Sequence, residues 1–133
     1  MSNVLKTVLL IDDNEATNML HERIIKKAAV TENVVVKTNG KNGIDYINEC
    51  LNNGVDLPEL ILLDINMPVM NGWEFLQEYE RVTSSVDDSN RNVVVMLTTS
   101  LNPKDMERSK SFRSVSKYLG KPFAKNDLLE IIQ

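Results

Sequence analysis

Five short apolar runs alternate along the chain with segments of helical spacing, and this alternation limits the fold more than any other feature. The runs are rich in β-branched and aliphatic residues, and they lie at Thr7–Ile11, Val34–Lys37, Leu60–Leu63, Val93–Leu97 and Ser116–Leu119. Near-continuous apolar runs are typical of strands buried on both faces, as in a parallel sheet that is covered by helices. We therefore expect a layered α/β domain.

Apolar residues three or four positions apart predict a helix after each strand. The first predicted helix starts near Asn14 and has one face made of Ala16, Leu20, Ile24 and Ala28. The others carry Ile44, Ile47 and Leu51 before a stop at Asn53-Gly54; Phe75, Leu76, Tyr79 and Val82 after Gly72; Met106 and Phe112 after Asn102-Pro103; and Leu128 to Ile132 after Asn126-Asp127.

Five strands alternating with five helices predict an α/β fold of the doubly wound kind, in which crossovers between parallel strands are right-handed. The natural choice for a (βα)5 chain of this length is the flavodoxin-like strand order 2-1-3-4-5. We expect His21 to be a solvated helix residue, Trp73 a surface or rim aromatic and Cys50 a small packing residue. The polar stretch at residues 83–92 is predicted to be a loop, either a contact loop or a tolerated insertion.

Composition excludes several classes of function. The 133 residues fit one domain, and a net charge of −4 with scattered Lys and Arg argues against nucleic-acid binding. Apolar runs stay well short of the roughly 18 residues that indicate a membrane span, and the single cysteine excludes an intramolecular disulfide. We expect a cytoplasmic protein that binds no membrane.

Polar residues stand where four of the predicted strands end. Asp12 and Asp13 follow the first strand, Asp64 the third, Thr98 the fourth and Lys121 the fifth. In this fold, ligands bind outside the carboxyl ends of the strands, where the strand order reverses beside strands 1 and 3. Carboxylates held close together repel one another unless a cation is present. Mg²⁺ would relieve the repulsion, since it prefers oxygen ligands and retains waters that a phosphate oxygen can replace.

The same residues form four motifs, in order, at the strand ends. They are Asp12-Asp13, then Asp64 to Pro68 with Asn71-Gly72, then Thr98, and then Tyr118 to Phe123 around Lys121-Pro122. Together they resemble the response-regulator receiver family over essentially the whole chain. The resemblance implies one receiver domain, residues 1–133 with no output domain, acting in a two-component phosphorelay. It also implies that a sensor histidine kinase or a histidine phosphotransfer protein donates the phosphoryl group, and that the domain has no separate substrate to turn over.

The resemblance assigns the acceptor and the metal ligands. Asp64 resembles the phosphoacceptor, and its carboxylate can attack phosphorus to form an acyl phosphate without a general base. Asp13 resembles the direct carboxylate ligand of the metal, with Asp12 alongside and Asp64 completing the acidic set. Asn66 matches the position whose backbone carbonyl also binds the metal, which we expect to be Mg²⁺ or Mn²⁺.

The resemblance also assigns the residues that respond to the phosphoryl group. Thr98 and Lys121 are expected to bind it, and Thr98 and Tyr118 to form a switch that changes a surface for a downstream protein target. Asn66 and Ser100 are expected to tune turnover, and the Lys121–Pro122 bond to be cis. Two copies are expected to be able to pair through the face made of helix 4, strand 5 and helix 5.

Other classes of protein fit the sequence less well. A phosphatase of the haloacid-dehalogenase type would need a second aspartate where Asn66 stands, and a flavin carrier would need a hydroxyl- and glycine-rich loop where Asp12 to Glu15 stands. A scaffold-only receiver is disfavoured by the complete acidic set. At single positions, Asp13 could instead cap the first helix, Thr99 or Ser100 could replace Thr98, and Tyr118 could be an ordinary half-buried strand residue.

Overall fold

The computed structural model describes residues 5–86, 92–99 and 101–132. The strands within these residues are β1 (Leu5–Ile11), β2 (Thr31–Lys37), β3 (Leu60–Asp64), β4 (Val93–Thr98) and β5 (Val115–Gly120). The helices are α1 (Glu15–Ala28), α2 (Gly40–Asn52), α3 (Gly72–Val82), α4 (Pro103–Ser109) and α5 (Lys125–Ile132). All strand pairs are parallel, in the order β2-β1-β3-β4-β5. The predicted fold class and strand order are confirmed.

The sheet is buried on both faces because successive side chains of each strand point to opposite sides. Leu9 and Ile11 of β1 pack with α2 and α3 on one side, whereas Val8 and Leu10 pack with α1 and α5 on the other. Every residue of β3 is buried. Because both faces are covered, a ligand can meet the sheet only at the ends of its strands.

Asparagine side chains start four of the helices. Each accepts a hydrogen bond from a backbone N–H in the first turn, which satisfies a donor that has no partner within the helix, and these residues are Asn14, Asn39, Asn71 and Asn102. The predicted Asn102-Pro103 start of α4 is confirmed. The alternative in which Asp13 caps α1 is wrong, because Asn14 holds that position and accepts from the Thr17 N–H at 2.9 Å.

The buried face of α1 differs from the predicted one. Asn18, His21 and Ile25 are buried, whereas Ala16 and Leu20 of the predicted stripe are exposed. Four residues rotate around the helix axis by about 40° more than one full turn. Residues that recur every four positions therefore drift around the helix and do not stay on one face. The buried residues follow one another at spacings of three and four. Two of them are polar, so a search for apolar residues did not identify this face.

Two aromatic side chains are more deeply buried than their sequence context predicted. His21 is 1% exposed and therefore not solvated. Trp73 is 6% exposed. The centroid of its ring lies 6.0 Å from the Phe112 ring centroid and 4.5 Å from the guanidinium carbon of Arg108. Both predictions were wrong because a partner distant in sequence covers each ring. Cys50 is a buried free thiol, as expected.

Helix α4 is shorter than predicted, and β2 and β5 start earlier. The helix ends at Ser109, which is its buried residue, so Phe112 lies beyond it and Met106 is 40% exposed. Strand β2 begins at Thr31 with three residues that lack the apolar signal. Residues 87–91 of the predicted polar loop lie outside the described residues. In the part of the chain that is described, no helix has the length and apolar character needed to cross a membrane.

Candidate functional site

Three charged side chains from three strand ends meet at one edge of the sheet. Asp12 follows β1, Asp64 ends β3, and Lys121 follows β5. The Lys121 Nζ donates to Asp12 Oδ2 at 2.8 Å and to Asp64 Oδ1 at 3.1 Å. All three side chains are less than a tenth exposed. Because β1 and β3 are neighbours and β5 lies two strands from β3, the third charge reaches the pair through the long side chain of the lysine.

Asp13 completes an acidic cluster at the same edge. A carboxylate oxygen from each of Asp12, Asp13 and Asp64 lies within 4.8 Å of the others. Three carboxylates against one ammonium leave a formal excess of two negative charges. Carboxylate oxygens at this spacing match the ligands that Mg²⁺ and Mn²⁺ prefer, so the residues present fit a hard divalent cation.

The electrostatics of the site follow from this crowding. Burial raises the pKa of Asp64, and the neighbouring Asp12 raises it further, while Lys121 acts in the opposite direction. Burial lowers the pKa of Lys121, but its hydrogen bonds to Asp12 and Asp64 outweigh this, and the net shift is upward. Lys121 therefore stays charged near neutral pH, and the charged form of Asp64 is disfavoured until further positive charge approaches it.

Asp12 is held by contacts on both sides. Its Oδ1 accepts from the Asn14 N–H at 2.9 Å, and its backbone oxygen accepts from Asn18 Nδ2 at 2.8 Å. The second bond ties the end of β1 to the buried face of α1. Asp13 is exposed beside it. One carboxylate of the pair is thus fixed in the protein and the other faces solvent.

Gly72 allows the start of α3 to press against the end of β3. Its N–H donates to the Ile65 oxygen at 2.8 Å, and a Cβ at this position would lie 2.6 Å from the Asp64 oxygen. A side chain there would push the acceptor strand and the helix apart. The motif in the sequence included Gly72, but the contact that requires glycine becomes visible only in three dimensions.

The side chain of Thr98, which ends β4, lies beside the side chain of Tyr118, which is within β5. Thr98 is 5% exposed, and its backbone oxygen accepts from the Lys121 N–H at 2.7 Å. The Tyr118 hydroxyl is screened from water and lies beside Thr98 and the backbone of Asn102. Burial raises the pKa of Tyr118, and Asp105 adds to that shift. The pair predicted from the sequence to form a switch is therefore in proximity.

The remaining predicted positions come in the sequence after the ends of β3, β4 and β5. Asn66 is exposed in the loop after Asp64, and Thr99 is exposed after Thr98. Ser100 lies outside the described residues. The Lys121–Pro122 peptide bond is cis, as expected. Sequence reasoning missed Asn18, for which its helical spacing with other buried residues of α1 was the only available signal.

A doubly wound α/β domain with an acidic cluster and a lysine at the switch point of its sheet defines a class of signalling domain, and comparison with known proteins agrees. A family model described as "Response regulator receiver domain" matches residues 8–133. The chain belongs to this family of two-component response regulators.

Similar proteins cover nearly the whole chain. The response regulator Rcp1 of Synechocystis sp. is 30% identical, over 99% of this chain and 87% of its own. The structure of the Mn²⁺-bound form of Rcp1 has a TM-score of 0.72 at 29% identity, covering 96% of this chain and 89% of the other. A two-component response regulator from Cytophaga hutchinsonii has a TM-score of 0.82 at 32% identity, covering 96% and 94%.

Proposed function

We propose that this domain takes a phosphoryl group onto Asp64 from a sensor histidine kinase or a histidine phosphotransfer protein, and then presents a changed surface to a downstream protein. The observation that carries the proposal is the placement of Asp64. Its carboxylate lies 3.1 Å from the Lys121 ammonium within a cluster of three carboxylates at the sheet edge. Membership of the receiver family supports the same function.

The chemistry needs only an ionised carboxylate and neutralisation of phosphoryl charge. A lone pair on an Asp64 oxygen forms the new O–P bond. The P–N bond of the donor phosphohistidine breaks, and its electron pair remains on the imidazole nitrogen. Lys121 donates charge-assisted hydrogen bonds and can stabilise the transferring oxygens. No general base is required, because the transfer removes no proton from Asp64.

We propose that Mg²⁺ or Mn²⁺ is held by Asp12, Asp13, Asp64 and the backbone carbonyl of Asn66. When bound, the ion would neutralise charge on the transferring oxygens and offset the burial and the repulsion from Asp12 that raise the pKa of Asp64. The excess of carboxylates over ammonium supports the proposal. The Mn²⁺-bound form of the similar protein Rcp1 supports it further.

Thr98 and Tyr118 would carry the signal away from Asp64. A phosphoryl oxygen accepts a charge-assisted bond more strongly than a neutral group does, so the Thr98 hydroxyl would turn toward it. Tyr118 lies against Thr98, and its hydroxyl also lies beside the backbone at the start of α4. Because Ser109 is the buried residue of α4, a shift of this helix would disrupt little packing and would require little free energy. The face of α4, β5 and α5 is then a candidate for target binding and for pairing with a second copy.

Turnover in this proposal is hydrolysis of the domain's own acyl phosphate, with no other substrate. Asn66 and Ser100, each two residues after an assigned site residue, would influence the approach of the hydrolytic water. Substitutions at either position should then change the rate of dephosphorylation more than the phosphorylated yield.

The proposal is tested by incubating the protein with acetyl phosphate and Mg²⁺ and weighing it intact. The mass should rise by one phosphoryl group, and Asp64→Ala should abolish the rise. Asp45→Ala is the matched control, because it removes an exposed carboxylate that pairs with Lys41 away from the cluster. Calorimetry should show weaker Mg²⁺ binding in Asp13→Asn than in the control. Equal modification of Asp64→Ala and the wild-type protein would exclude Asp64 as the acceptor.

A further inference from the structure

His21 occupies a position that an apolar side chain would ordinarily fill. It is the only histidine in the chain and is 1% exposed. Its ring stacks on Phe123, with centroids 4.2 Å apart and an interplanar angle of 27°. Its Nε2 is buried without a hydrogen-bond partner among the described residues. A buried polar atom without a partner costs stability, so the ring is not explained by packing energy alone.

Phe123 connects this ring to the candidate site. It is 3% exposed and lies two residues after Lys121. The Lys121 side chain reaches from the end of β5 to both Asp12 and Asp64, so a small movement of its backbone would be felt at both carboxylates. The segment after β5 is therefore fixed at one end by the sheet and at the other by the His21–Phe123 stack.

The same face of α1 also holds the other side of the site. Asn18 lies three residues before His21, and positions three apart are neighbours on a helix surface. Its Nδ2 donates to the Asp12 backbone oxygen at 2.8 Å. One face of α1 thus supports both sides of the site. Asn18 holds Asp12, and His21 holds the segment that carries Lys121.

We infer that His21 is a positioning residue, which holds Lys121 over Asp12 and Asp64 by stacking on Phe123. The ring is the part that matters, because a flat side chain stacks on the face of the Phe123 ring and so limits its orientation. An aliphatic side chain of similar size would fill the space but would let Phe123 and the adjoining backbone shift. The consequence for phosphoryl transfer rests on the proposed function of Asp64, whereas the position of Lys121 does not.

Two substitutions separate stacking from simple filling of space. His21→Phe keeps a flat ring, and His21→Leu keeps a buried apolar side chain without one. Ile47→Val is the matched control, since Ile47 is fully buried on the opposite side of the sheet. It perturbs the core without touching Phe123, so it reports the effect of a general loss of packing.

The test measures the Lys121 ammonium resonance by NMR, and the phosphorylation rate with acetyl phosphate at saturating Mg²⁺. We expect His21→Leu to shift or broaden the Lys121 signal and to slow phosphorylation about tenfold, within the roughly 100-fold that a displacement of about 1 Å can cost. His21→Phe and Ile47→Val should match the wild-type protein in both measurements. Because Mg²⁺ is saturating, a slower rate in His21→Leu would not come from weaker metal binding.

Two results would overturn the inference. One is a Lys121 signal and a rate that are unchanged in His21→Leu; the other is equal loss in His21→Leu and His21→Phe, which would show that ring stacking is not the cause. If the wild-type protein takes up no phosphoryl group, the proposed function fails. The Lys121 signal in the two variants then decides the role of His21 by itself.

Discussion

The burial of His21 predicts a specific loss of stability in mild acid. Burial lowers the pKa of His21 from 6.5 to about 4; Asp12 opposes this and Lys121 adds to it. The folded protein therefore binds fewer protons than the unfolded chain between these two values. Stability from the neutral ring is fully present above pH 6.5 and is lost as the pH falls toward 4.

The magnitude follows from the shift. At about 1.4 kcal/mol per pKa unit, the full effect is about 3 kcal/mol, and about 2 kcal/mol of it should be lost between pH 7 and about pH 5. His21→Phe removes the titrating group and keeps the stacked ring. The difference in unfolding free energy between wild type and variant should therefore shift by about 2 kcal/mol in favour of the variant over that interval.

Urea unfolding of both proteins at several pH values measures this difference. The raised pKa of Asp64 has the opposite sign, because its neutral form is favoured in the fold and its unfavourable charge is relieved as the pH falls. That contribution is common to both proteins and cancels in the comparison. A difference between wild type and His21→Phe that stays constant from pH 7 to about pH 5 would refute the argument.

Three further predictions concern the surroundings of the acceptor. Asp64→Asn should raise the unfolding free energy at pH 7, measured in urea, because burial and Asp12 disfavour the Asp64 charge; a decrease would contradict this. Val69 is 79% exposed at a φ of 68°, which strains a β-branched residue, so Val69→Asn should stabilise the fold by about 1 kcal/mol in the same assay, and no gain would argue against strain. Gly72→Ala should lower the melting temperature and slow phosphorylation, because its Cβ would lie 2.6 Å from the Asp64 oxygen; wild-type behaviour would show that the contact relaxes freely.

Much of the fold was predictable because its signals are local. Runs such as Leu60–Leu63 are apolar throughout, which indicates a strand covered on both faces, and parallel strands then bring their carboxyl ends to one edge. That geometry alone placed Asp12, Asp64 and Lys121 together, and the structure confirms it.

The side chains whose burial was predicted wrongly are covered by residues that are distant in the sequence. His21 is covered by the ring of Phe123. Trp73 is covered by Arg108 and Phe112. A helix pattern shows which residues share a face but does not show which face meets the sheet when that face includes polar groups such as Asn18. Tertiary contacts, not local propensity, set these environments.

The most direct test of the account is to locate the phosphoryl group chemically. Borohydride reduces the carbonyl of an acyl phosphate to an alcohol, so an aspartyl phosphate becomes homoserine. After phosphorylation with acetyl phosphate and Mg²⁺, peptide mass spectrometry should find homoserine at position 64 and aspartate retained at Asp12 and Asp13. Homoserine at another position, or a phosphorylated protein that yields none, would contradict the assignment of Asp64 as the acceptor.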